Sequence, residues 1–178
     1  MKSRSMALLL LSVGCVVSSR SQEIRIVVLE AQHGRPVSDE CLNISLGSWH
    51  GMDILARTSK DGVVTLSIEK DRATVEPASG KTCNGFPLTK SFSDGQVPVA
   101  ISVLPDYYVS CQYSKALVKD PLWLGETPSQ RIPSFPLHDI LAHGMVAANS
   151  CSKLNPAPTP GQLVLMVRKR TFLEGMKS

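Results

Sequence analysis

The chain has 178 residues, 43% of them hydrophobic and 19% charged, with a formal net charge of +4. That balance excludes a disordered chain, a collagen-like repeat and a multi-pass membrane protein. The length fits one domain of about 150 residues with an appendage.

The appendage comes first. Lys2 and Arg4 precede an apolar run over residues 6–17, and the small residues Ser18, Ser19 and Ser21 follow it. A cationic start, a short apolar stretch and a small-residue end predict a signal peptide over residues 1–21, cleaved after Ser19 or Ser21. The run is shorter than the roughly 20 apolar residues that cross a bilayer. Gly14-Cys15 near its end leaves lipidation at Cys15 open, although Ser12 stands where bacterial lipoprotein signals place Leu. Three cations, Lys2, Arg4 and Arg20, lie in this segment and no acidic residue does, so its removal takes the net charge from +4 to +1. A nucleic-acid partner, which needs a concentrated basic face, is therefore not expected. Membrane contact is expected only through a lipidated Cys15.

From residue 22 the dominant hydrophobic period is two, the period of a strand with one dry face. Ile24, Ile26 and Val28 alternate with Arg25, Val27 and Leu29, and Gly34-Arg-Pro36 supplies a turn. Leu42, Ile44 and Leu46 alternate with Asn43 and Ser45. Asn43-Ile-Ser45 spells a glycosylation acceptor, but on the polar face of a strand rather than in a loop. Lys60-Asp61-Gly62 is a turn signal, and Val64, Leu66 and Ile68 follow it. Val97, Val99, Ile101 and Val103 predict a further strand face closed by Pro105, and Tyr107, Val109, Cys111 and Tyr113 one more. Seven of the twelve prolines lie between Pro121 and Pro160, which leaves little room there for a regular ladder. Inside that stretch residues 136–143 predict one short helix, with Leu137, Ile140 and Leu141 on one face and Gly144 to end it. Leu163, Leu165 and Val167 mark the last strand, over 162–168. Residues 171–177 predict a terminal helical turn whose Phe172 and Met176 pack back on the body.

Without the signal segment four cysteines remain, Cys41, Cys83, Cys111 and Cys151. An even number in an exported chain predicts two disulfides, and the absence of a C-x-x-C pair argues against a zinc ribbon or a thioredoxin-like site. Three connectivities are open. The pairing favoured joins Cys111 to Cys151, which ties down the Pro-rich segment, and leaves Cys41 for Cys83.

Residues 24–30, Gly34-Arg-Pro36-Val37, 41–46 and Thr58-Ser-Lys-Asp61-Gly62 follow a strand, G-x-P turn, apolar strand, T-x-x-D-G order. Over about residues 24–104 this resembles the carboxypeptidase regulatory-like domains, exported sandwiches of transthyretin-like or Ig-like fold. The resemblance implies a non-catalytic module that supports folding, anchoring or binding, and it carries no catalytic residues. The layout is also similar to exported bacterial proteins ending in a strand and an R-x-R/P-T-F-x-E-x-M tail, here Arg168 to Met176. The expectation is thus a mainly β protein, an antiparallel β-sandwich with one short helix and a Pro-rich segment. Residues 22–178 would make one domain, with 105–160 as a disulfide-stapled insertion.

Chemistry-bearing constellations are sparse. His138 and His143 are five apart, which on a helix points their rings about 140° from each other, and H-E-x-x-H is absent. His50 and Asp53 flank Gly51 but no nucleophile motif accompanies them; G-x-S-x-G, the P-loop and G-x-G-x-x-G are missing. No catalytic, cofactor or metal residue is assigned. The residues singled out for binding are the aromatics Trp49, Tyr107, Tyr108 and Trp123, which at loops or strand ends would stack on a partner. The reading is an exported module, secreted or periplasmic, with a binding or accessory role toward a protein or surface polysaccharide. Its alternatives are a small extracytoplasmic hydrolase using His50 and Asp53 or a group in the 105–160 segment, and a thiol- or metal-carrying periplasmic protein.

Overall fold

The computed structural model describes residues 21–47, 54–76, 83, 88–92, 98–112 and 134–175. In chain order the strands are β1 (Gln22–Glu30), β2 (Cys41–Leu46), β3 (Ile54–Arg57), β4 (Val63–Ile68), β5 (Arg72–Val75), β6 (Thr89–Ser91), β7 (Ala100–Pro105), β8 (Tyr108–Ser110) and β9 (Ser134–Pro136). The helix α1 (Leu137–His143) follows, then β10 (Met145–Val146), β11 (Gln162–Lys169) and a one-turn helix α2 (Phe172–Gly175). The larger sheet runs β10-β11-β1-β4-β5-β6, with β8 also paired to β11, and the smaller runs β3-β2-β7-β9. The fold is mainly β, in two sheets with two short helices, as the sequence predicts.

The two sheets share one core. Ile24, Ile26 and Val28 of β1, Val64, Leu66 and Ile68 of β4, and Leu163, Leu165 and Val167 of β11 line the inner face of the larger sheet. Leu42, Ile44, Ile54, Ala56, Ile101, Val103 and Phe135 meet them from the smaller sheet. Alternation puts Asn43 and Ser45 on the far side, half-buried, with Asn43 cross-strand from Leu55 and Leu104. A glycan acceptor held mid-strand in this way is poorly placed for modification.

In the larger sheet β11 is buried on both faces, and the outer face of β1 is half-covered at Val27 and Leu29. Val164 and Met166, with Ala31 and Cys111, form a second apolar cluster on the outer face, and Val27, Leu29, Val146 and Cys151 pack against it. This is why β11 reads as an unbroken apolar run instead of an alternating one, the pattern of a strand covered on both sides. β1 and β11 pair in parallel, Arg25 with Gln162 through Glu30 with Val167, and β10 with β11 likewise, while every other described pairing is antiparallel. The sandwich therefore has one mixed sheet. Period-two patterning records which face is dry and carries no strand direction.

Three local devices fix the chain between strands. Pro36 bridges to Leu29, and the Val37 N–H donates to the Val28 carbonyl at 2.9 Å. Gly62, at φ 70°, sits against this turn, where a Cβ would stand 2.7 Å from the Val28 oxygen and 2.9 Å from the Val37 nitrogen. The G-x-P and D-G elements of the sequence pattern are thus in contact, and only glycine fits where they meet. At α1, Leu137 and Ile140 are buried and Gly144 ends the helix at φ 72°. The N–H groups of Gly144 and Gly161 both donate to the Ile140 carbonyl, at 2.9 and 2.8 Å. Finally, Cys41–Cys83 and Cys111–Cys151 are disulfides, the favoured pairing, with Cα–Cα distances of 6.0 and 5.5 Å.

Some sequence expectations change. β7 begins at Ala100, and Val99 is 80% exposed instead of lining the core. The ladder with β9 ends at the Ala100–Pro136 pair, and the Leu137 N–H donates to the Val99 carbonyl at 2.9 Å while the Val99 side chain stands in solvent. β8 is three residues long, with Cys111 in the turn after it. Val97, Tyr113 and residues 1–20, Cys15 among them, lie outside the described residues.

Candidate binding surface

The C-terminal end of β11 gathers the exposed apolar side chains of the larger sheet's rim. β8 runs antiparallel to it, with Tyr108 opposite Lys169, and one step further the Arg170 N–H donates to the Tyr107 carbonyl at 3.0 Å. Tyr107 stands at the β7–β8 turn with 69% of its surface exposed, while Tyr108 is half-buried against the main core. Of the two tyrosines singled out from sequence, only Tyr107 is free to meet a partner.

A buried carboxylate holds that turn. Glu40, 3% exposed, accepts the Tyr107 N–H at 2.6 Å, and the Asp106 N–H donates to the Cys41 carbonyl at 3.0 Å. Burial pushes the Glu40 carboxyl above its ordinary value, and the nearby Asp106 carboxylate pushes the same way. The N–H groups of Tyr107, Tyr108 and Asp106 pull against them. Glu40 thus ties a turn that leads into the larger sheet to the first residues of the smaller one.

The tail is held by a second carboxylate. Glu174 takes Arg168 in a two-pronged pair, Nη1 at 2.9 Å and Nη2 at 2.5 Å. It also accepts the Thr171 N–H at 2.9 Å and the Thr171 hydroxyl at 2.8 Å, while its own N–H points back to the Thr171 Oγ1 at 3.4 Å. That is a capping box at the start of α2, reinforced by a bidentate arginine. The Arg168 hydrogen bonds first, then Thr171, hold the Glu174 carboxyl down to about 2 against the effect of its partial burial.

So oriented, α2 turns Phe172 and Leu173 to solvent, 79% and 66% exposed. Phe172 does not pack back on the body as expected. The hydrogen bonds among Arg168, Thr171 and Glu174 fix the turn, and its apolar side chains stand in solvent. Met176 lies outside the described residues. Lys169 and Arg170 flank the turn and make no ion pair among the described residues, since Arg168 alone is matched to Glu174.

The other sequence candidates are placed elsewhere or are not described. Trp49, His50, Asp53 and Trp123 fall outside the described residues. His138 and His143 are exposed on α1, with the His138 Nδ1 3.4 Å from its neighbour Asp139. Among the described residues no three His, Cys, Asp or Glu side chains gather as metal ligands would. The two devices that shape this surface were not singled out from sequence. Thr171-Phe-Leu-Glu174 carried a readable signal, the T-x-x-E spacing of a capping box. Glu40 carried none, because its contact with Tyr107 joins residues distant in the chain.

Comparison of the chain with family models, with curated proteins and with solved structures finds no match.

Proposed function

We propose that the chain is an exported, non-catalytic β-sandwich module that works by contact, its binding face being the Tyr107, Phe172 and Leu173 end of the larger sheet. One observation carries this reading. Aromatic and aliphatic side chains stand exposed on backbone that is locked from beneath, Tyr107 by Glu40 and α2 by Arg168 and Glu174. Exposed apolar groups on preorganised backbone lose little entropy on binding, which is what a contact site requires. Two disulfides fit an oxidising compartment outside the cytoplasm, and the cationic, apolar, small-residue start supports export to a secreted or periplasmic location. The resemblance of residues 24–104 to the regulatory-like sandwich domains supports the same reading, and the partner is then a component of the cell surface. Cysteines held in disulfides weigh against a thiol-carrying role.

The test is photo-crosslinking in exporting cells, with a benzophenone amino acid at Tyr107 and, as control, at Glu23 at the opposite end of the sheet. Adducts from position 107 and none from position 23 are expected. Equal adducts at both positions, or none at 107, overturn the assignment of the face.

A further inference from the structure

The exposed patch is small and cationic, and those two properties decide what it fits. Tyr107, Phe172 and Leu173, exposed at 69, 79 and 66%, offer on the order of 400 Å² of removable surface. A stable protein–protein interface needs about 800 Å² from each partner, so a second copy of the chain is a poor occupant. A lipid surface asks for less: a few apolar side chains that enter the headgroup layer, with cations beside them. Lys169 and Arg170 stand immediately before α2 without a carboxylate among the described residues, and the acid of α2, Glu174, is neutralised by Arg168. Of the three side chains only Tyr107 carries a polar atom that could hydrogen-bond a sugar.

From this juxtaposition we infer that the α2 end of the larger sheet is a docking site for an anionic lipid surface, with Phe172, Leu173 and Tyr107 entering the headgroup layer and Lys169 and Arg170 pairing with its phosphates. The inference rests on the contact-module reading and names the partner at that face. The part played by the Arg168–Glu174 pair is orientation: it keeps the two apolar side chains outward and removes the one negative charge of α2. Asp106, exposed beside Tyr107, is the acidic group that opposes the contact. The patch lies at the C-terminal end of β11, whereas the chain enters β1 at the opposite end of the parallel pair.

The experiment is co-sedimentation of the chain as cells export it, without the apolar run over residues 6–17, with vesicles of phosphatidylglycerol and phosphatidylcholine in equal parts, and with phosphatidylcholine alone. Its N-terminus is common to every variant, so differences between variants read the patch. The expected result is binding to the anionic vesicles that salt weakens and that falls at least about tenfold in F172A/L173A. K169Q/R170Q loses roughly 25-fold and D106N gains about fivefold, from the interaction of each charge with an anionic surface. Phe172, Leu173, Lys169 and Asp106 are exposed and Arg170 is half-buried, and unchanged circular dichroism and thermal unfolding show that the variants fold. Equal binding to both vesicle types overturns the inference, as does binding that F172A/L173A leaves intact. Persistent Tyr107 crosslinks to protein or polysaccharide without vesicle binding sink the lipid partner and spare the contact reading. Loss of both sinks both.

Discussion

Thr58 and Glu40 hold each other by backbone and side chain at once. The Glu40 N–H donates to the Thr58 hydroxyl at 2.9 Å, the Thr58 N–H donates to the Glu40 carbonyl at 2.9 Å, and the Thr58 hydroxyl donates onward to the Val37 carbonyl at 2.8 Å. Thr58 is 2% exposed, so none of these groups has water to fall back on. Its hydroxyl fastens the 37–40 loop, including Asp39 at φ 61°, and so places the Glu40 carboxylate beneath Tyr107.

Thr58→Val keeps the shape and removes the hydroxyl. It strands a buried donor at Glu40 and a buried acceptor at Val37, a loss of about 2–4 kcal/mol in unfolding free energy. Thr58→Ser retains both bonds and is expected to cost under about 1 kcal/mol. Urea titration of the two variants checks the contrast; a loss in Thr58→Ser that matches or exceeds the loss in Thr58→Val would show that the hydroxyl is not the dominant contribution.

Glu40 sets a pH dependence of definite sign. Burial raises its carboxyl above the ordinary 4.5, so the folded chain holds that proton more tightly than the unfolded one. The resulting stability is full below about 4.5 and is lost as pH rises through the folded value. Glu40→Gln keeps an oxygen for the Tyr107 N–H and cannot ionise. Unfolding midpoints followed from about pH 4 to about pH 8 should fall for the native chain over the lower part of that window and stay flatter for Glu40→Gln. Parallel profiles would remove Glu40 as the source.

Glu174 acts at the acid end with the opposite sign. Its carboxyl is held down to about 2, so its contribution is full above the ordinary 4.5 and disappears as pH falls through about 2. The group is partly exposed, which limits the effect to about 1 kcal/mol, and it concerns α2 alone. Glu174→Ala should speed amide hydrogen exchange at Phe172 to Gly175 with little change in global unfolding. Unchanged exchange there would mean that α2 is held by something other than Arg168 and Thr171.

How far the sequence led depends on the range of each interaction. Where a strand's faces differ, as in β2 and β4, alternation of Leu42, Ile44 and Leu46 or Val64, Leu66 and Ile68 located both the strand and its buried side. β3, β5, β6, β9 and β10 passed unnoticed because two to four residues are too few to show a period. The α1 helix and its Gly144 stop were readable from local spacing alone. The candidate surface was half legible. Tyr107 stood out as an aromatic at a strand end, but its support, Glu40, is brought in by the β2–β7 ladder. Phe172 was assigned to the core on hydrophobicity, and the charge pair of Arg168 with Glu174 decided otherwise.

The parallel ladder between β1 and β11 joins the beginning of the described chain to its end. Loop closure over nearly the whole length must precede that contact, so the centre of the larger sheet is among the last parts to form. β1, β4 and β5 can assemble while synthesis continues, but they leave one edge of β1 bare until β11 emerges. A sheet built this way stays unfinished until β11 has been made. On the export route proposed above, delayed closure keeps the chain slack while it threads a translocation channel and lets it fold on the far side, where its thiols meet oxidant.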